Sequence, residues 1–400
     1  MSHARRLRGA RTIAAFISTA LLASTTAFAQ EASPRTSENG VFADRILFGQ
    51  AAPLEGPASA LGLGMQLGIQ AAFHEINTAG GVHGRQLELI SRDDQYEPAR
   101  SIEEVRRLIG QDKVFGLIGP VGTPTSAATQ PIAMETNVPF IGAFTGAGFL
   151  RDPKLANVVN IRASYDAETE TWMKLLVDER KLKRIAILYQ DDAFGRAGLS
   201  GAVAALERRE MELVARGTYQ RNTTAVKAAL LELRKANAQA VVMVGAYLPI
   251  AEFVKVARSI DFDPTFVNIS FVGSDALASA LEGEGEGVIV SQVVPFPWDD
   301  ANPLVAAYQA ALAEVNGEAK PSFVSLEGYI TGRLAAMAIE EAGPEPTREA
   351  FLNGIHQRGS FEMDGLTLQF GPDDNQGLDD VFLTEIGPDG AFRPLAGPQS

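Results

Sequence analysis

Short apolar runs alternate with helical stretches along this chain, and the alternation stops and then restarts. Arg45 to Gln50 reads as a buried first strand and is followed by a Pro- and Gly-containing loop, Ala51 to Pro57. From Ser59 to Asn77 the apolar residues Leu61, Met65, Ile69, Ala72, Phe73 and Ile76 recur at helical spacing. Gly62 and Gly64 lack the third glycine of a dinucleotide fingerprint, so with Gly68 they predict close helix packing. Gly80-Gly81 ends that helix, Gln86 to Ser91 alternates as a second strand, and a helix opens near Pro98 and runs to Ile109. Strand–helix alternation of this kind predicts a parallel sheet with helices on both faces.

The stretch Val114 to Phe149 is the strongest candidate for function. It holds two short apolar strands, Val114 to Ile118 and Val138 to Ile141, each running into a loop of Gly, Thr and Pro residues. In parallel α/β sheets such loops lie at the carboxyl ends of strands, where small molecules bind. Thr123-Pro124 predicts a helix start with the Thr123 hydroxyl as N-cap and proline at the first helical position. Free N–H groups in that first turn suit a carboxylate. The plainer alternative is that Thr123 only caps its helix.

A second run begins at Arg184 to Tyr189. Helices are expected at Gly195 to Arg209, Thr223 to Ala236, Pro249 to Ile260 and Asp275 to Leu281, and extended segments at Glu212 to Gly217, Ala240 to Val244, Phe266 to Val272 and Gly287 to Val293. The two runs meet at a seam near Arg162 to Asp166, which predicts two α/β lobes. Helices follow at Pro303 to Val315, Phe323 to Ala342 and Arg348 to Ile355, and Leu366 to Phe370 and Val381 to Ile386 form a β tail.

Composition narrows the function. The chain has 400 residues, 46% hydrophobic and 21% charged, enough for two cored domains. It contains no cysteine, which excludes disulfides, thiolate metal sites and a cysteine nucleophile. Arg5, Arg6, Arg8 and Arg11 precede a mostly apolar Thr12 to Ser24, and Ala27-Phe28-Ala29 is a small-x-small cleavage site. Residues 1–29 therefore read as a secretory signal peptide cleaved after Ala29, and 30–40 as a flexible leader. Loss of these four arginines from 35 basic residues leaves 31 against 49 acidic ones, a net charge of −18. So acidic an exported protein is not expected to bind nucleic acid or anionic membranes.

Catalytic and metal signatures are missing. There is no Gly-x-Ser-x-Gly elbow and no Gly-x-x-x-x-Gly-Lys loop. His74-Glu75 has no histidine four residues on, and Asp373-x-Asn375-x-Gly377 departs from EF-hand spacing. Glu282 to Gly287 alternates Glu and Gly and reads as a solvated loop. We expect no cofactor, no metal and no enzymatic activity.

Several of these segments together resemble a known family. The strand at Ile46, Gly56-Pro57, the helix end Glu75-Ile76-Asn77-x-x-Gly80-Gly81-Val82-x-Gly84, Asp93-Asp94, Ile118-Gly119-Pro120 and Arg184-Ile185-Ala186-Ile187-Leu188 are similar to the type I periplasmic binding proteins, in particular the leucine/isoleucine/valine-binding branch of ABC importers. The resemblance covers roughly residues 41 to 390. It implies an α/β fold of two doubly wound lobes joined by a three-crossing hinge, with crossings near Ala163, Ser291 and His356 to Phe361. Lobe I would be 41–163 and 292–356, and lobe II 164–291 and 357–400.

The same resemblance implies a ligand pocket between the lobes. Val121, Gly122 and Thr123 match the loop that holds an amino acid's carboxylate, and Phe144, Thr145 and Gly146 match the loop after the next strand. Leu61, Phe194 and Tyr247 match positions that often carry aromatics, and Asp275 matches the acid that pairs with an α-ammonium; capping its own helix is the alternative role for Asp275. Phe323 is a further candidate for the rim. Leu61 and Phe194 lack the hydroxyl common in relatives and Phe144 is large, which implies a more apolar pocket. The expected protein is a periplasmic, monomeric solute-binding protein that delivers a branched-chain or other apolar or aromatic amino acid, or a related compound, to an ABC permease in the inner membrane. A hydrophobic non-amino-acid ligand (an aromatic carboxylate or a lipid-like compound) and a ligand-sensing role with a receptor partner are the alternatives.

Overall fold

The computed structural model describes residues 38–395. The signal segment, most of the leader and the last five residues lie outside that range. The first run forms β1 (Arg45–Ala52), α1 (Ser59–Thr78), β2 (Gln86–Asp93), α2 (Pro98–Gly110), β3 (Gly116–Ile118), α3 (Thr123–Glu135), β4 (Phe140–Ile141) and β5 (Val158–Val159). All five strands pair in parallel, in the order β2-β1-β3-β4-β5. Apolar side chains cover both faces of this sheet. Ile46, Phe48, Ile118 and Ile141 pack on one side with Ile69 and Phe73 of α1, and Leu47, Leu117 and Phe140 pack on the other with Val105 and Leu108 of α2.

The second run begins with α4 (Tyr165–Met173), which widens into a π-helical turn over Lys174–Glu179. It continues through β6 (Ile185–Gln190), α5 (Ala193–Glu207), β7 (Ala215–Tyr219), α6 (Lys227–Lys235), β8 (Ala240–Val244), α7 (Tyr247–Ser259), β9 (Thr265–Asn268), α8 (Ser274–Ala280) and β10 (Ile289–Gln292). The strand expected over Phe266 to Val272 ends at Asn268, and Ser270–Val272 turns as a short 3-10 helix instead. That turn swings Phe271 off the sheet and into the space between the two halves of the molecule.

Three helices, α9 (Pro303–Val315), α10 (Phe323–Ala342) and α11 (Arg348–Arg358), then return to the first sheet, with Tyr308, Tyr329, Ile330 and Phe351 in its core. The α1–α10 contact is close because glycine permits it. A Cβ on Gly64 would stand 2.8 Å from Val324, and one on Gly68 would stand 1.9 Å from the Ser325 carbonyl oxygen. The helical glycines thus serve packing.

Two hairpins close the described chain and go to different places. β11 (Ser360–Met363) pairs with β12 (Leu366–Gln369), and Phe361, Met363 and Leu368 join the core of the first sheet. β13 (Phe382–Ile386) and β14 (Phe392–Pro394) extend the second sheet, whose order is β14-β13-β10-β9-β8-β6-β7. The passage expected at His356 to Phe361 is therefore taken up by α11 and β11, because their apolar faces complete the first core. The chain instead runs beside the first crossing later on: Asn160 N–H donates to the Asn375 carbonyl (2.8 Å), Gly377 N–H to Asn160 (3.0 Å) and Leu378 N–H to Ile161 (2.9 Å).

Candidate ligand-binding site

The carboxyl ends of β3 and β4 build one wall. Gly122 N–H donates to the Phe144 carbonyl (3.2 Å) and Phe144 N–H to Pro120 (2.8 Å), so the two loops are zipped side by side, with Val121 opposite Phe144. Gly122 has φ 103°, a conformation suited to glycine, and a Cβ there would collide with the Tyr96 ring at 2.2 Å. The helix start differs from the sequence expectation. Gly122 is the N-cap, Thr123 is the first helical residue, and no side chain caps the turn. The Thr123 hydroxyl is engaged elsewhere, 2.7 Å from the Thr145 hydroxyl. Thr145 in turn lies 3.3 Å from the Tyr165 hydroxyl, and Tyr165 N–H donates to the Gly146 carbonyl (2.7 Å). Both threonines and Tyr165 are buried.

Aromatic rings from both halves meet against this wall. Phe271 lies 4.5 Å from Phe194, 5.3 Å from Phe144 and 5.9 Å from Tyr96, measured between ring centroids, and Phe194 is 5.6 Å from Tyr165. These are packing distances. Leu61 and Tyr247 close the same seam. A Cβ on Gly273 would be 2.5 Å from the Leu61 side chain, and Ala60 N–H donates to the Tyr247 hydroxyl (3.4 Å). Tyr247 opens α7, three residues beyond the end of β8.

Beneath Phe144 lies a cluster of buried charges. The Arg162 guanidinium stands 4.5 Å from the Phe144 ring centroid and 3.4 Å from Glu327, and also donates to Ser270 Oγ. Two of its nitrogens, Nε and Nη1, have no hydrogen-bond acceptor. Glu168 is better satisfied: it accepts from the Ser270 N–H and hydroxyl, both at 2.8 Å, and from Ser291. Burial pushes the Glu168 carboxyl up, against the pull of Arg162. Burial also raises Glu327 to about 7, again offset by Arg162. A pocket of about 10 Å³ beside Phe144, Arg162, Ser270, Phe323 and Glu327 has room for about one water, a fitting partner for these groups. Arg151 fixes the Thr145 loop from below, donating to the carbonyls of Thr145 (3.2 Å), Ala147 (3.1 Å) and Arg162 (2.8 Å).

Asp275 is turned elsewhere. It lines an open cavity of about 560 Å³ with Phe296, Trp298, Lys320, Ser322 and Phe392, and none of the seam residues lines that cavity. One of its carboxylate oxygens has no partner, and burial raises its pKa to about 7.

Nine of the ten residues singled out from the sequence thus come together along the seam: Leu61, Val121, Gly122, Thr123, Phe144, Thr145, Gly146, Phe194 and Tyr247. Asp275 lies beside it. Tyr96, Tyr165, Phe271, Arg162, Glu168 and Glu327 were not anticipated. Tyr96 was findable in principle, since Asp93-Asp94 predicts a tight turn before α2, but nothing in the sequence marks Arg162 as buried.

Two mainly parallel sheets, facing each other by their carboxyl ends and connected by crossing segments, define a two-lobed solute-binding fold. The chain belongs to the periplasmic binding protein family, whose profile matches residues 46–391. It is similar to the Leu/Ile/Val-binding protein homolog 7 of Brucella abortus (strain 2308), 26% identical over 310 residues that cover 74% of this chain and 77% of the relative. It is also similar to the leucine-, isoleucine-, valine-, threonine- and alanine-binding protein of Pseudomonas aeruginosa PAO1, 24% identical over 77% of this chain and 82% of that protein. Among solved structures, that of a possible leucine/isoleucine/valine-binding protein from Rhodopirellula baltica SH 1 superposes with a TM-score of 0.84 at 38% identity, covering 90% of this chain and 98% of that one. The fold is that of the type I members, with two lobes.

Proposed function

We propose that this protein is an exported, periplasmic, monomeric solute receptor of an ABC importer, which captures a branched-chain or other apolar or aromatic amino acid between its lobes and hands it to an inner-membrane permease. The observation that carries this reading is the hydroxyl pair Thr123–Thr145 at a helix start, faced across the seam by Phe194 and Phe271. The threonine hydroxyls and the first-turn N–H groups of α3 would hold a carboxylate, since both present donors in a site shielded from water. Leu61, Phe144, Phe194, Phe271 and Tyr247 would surround the apolar body. The rings of Phe144 and Phe194 both pack on Phe271, so ligand entry requires the lobes to part and these rings to separate.

In this reading lobe I comprises 41–163 and 292–356 together with the β11–β12 hairpin, and lobe II comprises 164–291 with β13 and β14. The ligand shifts the hinge towards closure only by its better affinity for the closed form. Asp275 lines a separate cavity with none of the seam residues, so in this reading it does not pair with the ammonium of a ligand held at Thr123 and Thr145.

A ligand without an amine is the second reading, favoured by the number of aromatic rings in the seam and by the unpartnered Arg162 nitrogens, which suit a carboxylate. Mass spectrometry of small molecules released from natively purified protein, followed by calorimetric titration of each compound found, tests both. An apolar amino acid supports the first reading, an aromatic or aliphatic acid supports the second, and turnover of the compound would contradict both.

A further inference from the structure

The loop leaving β2 adopts a backbone conformation that side chains resist. Gln95 and Tyr96 both have positive φ, 51° and 60°. Such residues persist where their surroundings hold them. Here Asp93 Oδ1 accepts from Gln95 N–H (3.2 Å) and Leu54 N–H (2.8 Å), Asp94 Oδ1 accepts from Tyr96 N–H (2.9 Å), and Ser101 braces Asp94 (2.7 Å). Every one of these bonds lies within the first half of the molecule. The loop is therefore set before the lobes meet, and it points two side chains across the gap: Tyr96, packed on Phe271, and Glu97.

The second half answers with Arg221 and Asn222. Arg221 Nη2 donates to Glu97 Oε2 (2.8 Å), and Asn222 Nδ2 donates to Glu97 Oε1 (2.8 Å) and to the Gln95 carbonyl (3.1 Å). The other arm of Arg221 reaches Asp192 Oδ2 (2.9 Å), and Asp192 Oδ1 accepts the N–H of Phe194 (2.9 Å), a ring of the seam. Asn222 too has positive φ, 59°, so strained residues present the contact from both sides.

We propose that Glu97, Arg221 and Asn222 form an interlobe clasp that sets how much of the protein is closed, and thereby its affinity, without touching ligand. The inference rests on the hinge-closure reading above, though not on any particular ligand. If binding needs the closed form, the apparent dissociation constant scales inversely with the closed fraction. Loss of the clasp then weakens every ligand by the same factor, at most about fivefold for a partly exposed pair, and leaves selectivity unchanged. The Glu97 and Arg221 side chains are 42% and 21% exposed, so salt should loosen the contact.

The chain has no cysteine, so a dye pair can be placed cleanly. Met134→Cys on α3 and Leu231→Cys on α6 are at exposed positions on opposite lobes. Energy transfer between the dyes would be read without added ligand, from about 10 mM to about 1 M sodium chloride, in the parent protein, Glu97→Ala and Asn222→Asp. The last variant sets a second carboxylate against Glu97 at a half-buried position outside the hydrophobic core. The clasp requires the dye separation to grow with salt in the parent, and to be longer and less salt-sensitive in both variants. Variant distributions that coincide with the parent at all salt concentrations overturn it. Because no ligand is used, failure of the ligand assignment shows separately, as absence of binding in titration.

Discussion

The hydroxyl oxygens of Thr123 and Thr145 lie 2.7 Å apart, on loops that follow two adjacent strands of one parallel sheet. The register of β3 with β4 places them side by side, and the Tyr165 hydroxyl, from the first helix of the second run, extends the chain. Removal of either hydroxyl should therefore act on binding more than on folding. Thr145→Val keeps the shape and loses about 1 kcal/mol of hydrogen bonding. Ligand affinity measured by calorimetry is expected to fall tenfold or more, with the thermal midpoint lowered by only a few degrees.

Arg162 is worth more to the fold than to any one contact. It is buried with Glu168 and Glu327, so its removal leaves two carboxyls without their cation. Arg162→Ala is expected to cost about 3–5 kcal/mol in urea unfolding. Arg162→Met combined with Glu327→Leu should recover a good part of that loss, since the two changes remove a charge and its counter-charge together. An additive double variant would show that the cluster is not coupled.

The α1–α10 contact admits no side chain at Gly68. A methyl group there would meet the Ser325 carbonyl oxygen, which is part of a helix and cannot swing aside. Gly68→Ala is expected to destabilise by about 1–3 kcal/mol despite alanine's better helix propensity. Denaturant midpoints would decide it. A variant at least as stable as the parent would mean that the helices separate easily.

Stability should decline from mildly acid to neutral pH. Burial raises Asp275 from 3.8 and Glu327 from 4.5, each to about 7, so the folded protein holds these protons more tightly than the unfolded chain does. The contribution of each group is complete below about pH 4 and is lost as pH rises through 7. Urea midpoints at a series of pH values are expected to fall across that window. Asp275→Asn should flatten the slope; an unchanged slope would remove Asp275 as a source.

The order of strands and helices could be read from the chain because each buried element carries its own period. Pro303–Val315, Phe323–Ala342 and Ala240–Val244 coincide with the segments read from the sequence. Elements that borrow their order from partners could not be read. Val158–Val159 is too short to have a period, and Tyr165–Met173 mixes Glu168 and Thr169 into its buried face. The same division runs through the site. Glycine and threonine loops mark themselves locally, whereas burial of Arg162 depends on Ser270 and Glu327, both more than a hundred residues away. Phe271 sat inside an apolar run that looked like one strand, and only the turn at Ser270 sends its ring into the seam. The hairpin at Ser360–Gln369 went to the first core for the same reason: which sheet an apolar face covers is decided by three-dimensional fit.

The most direct test of the account is calorimetric titration of the protein with leucine, isoleucine, valine and phenylalanine, alongside the same titrations of Thr123→Ala and Thr145→Val. The account predicts saturable one-to-one binding of at least one of them, weakened tenfold or more in both variants while their folding is kept. Binding of none of the four, or binding that both variants leave untouched, would contradict the proposed site.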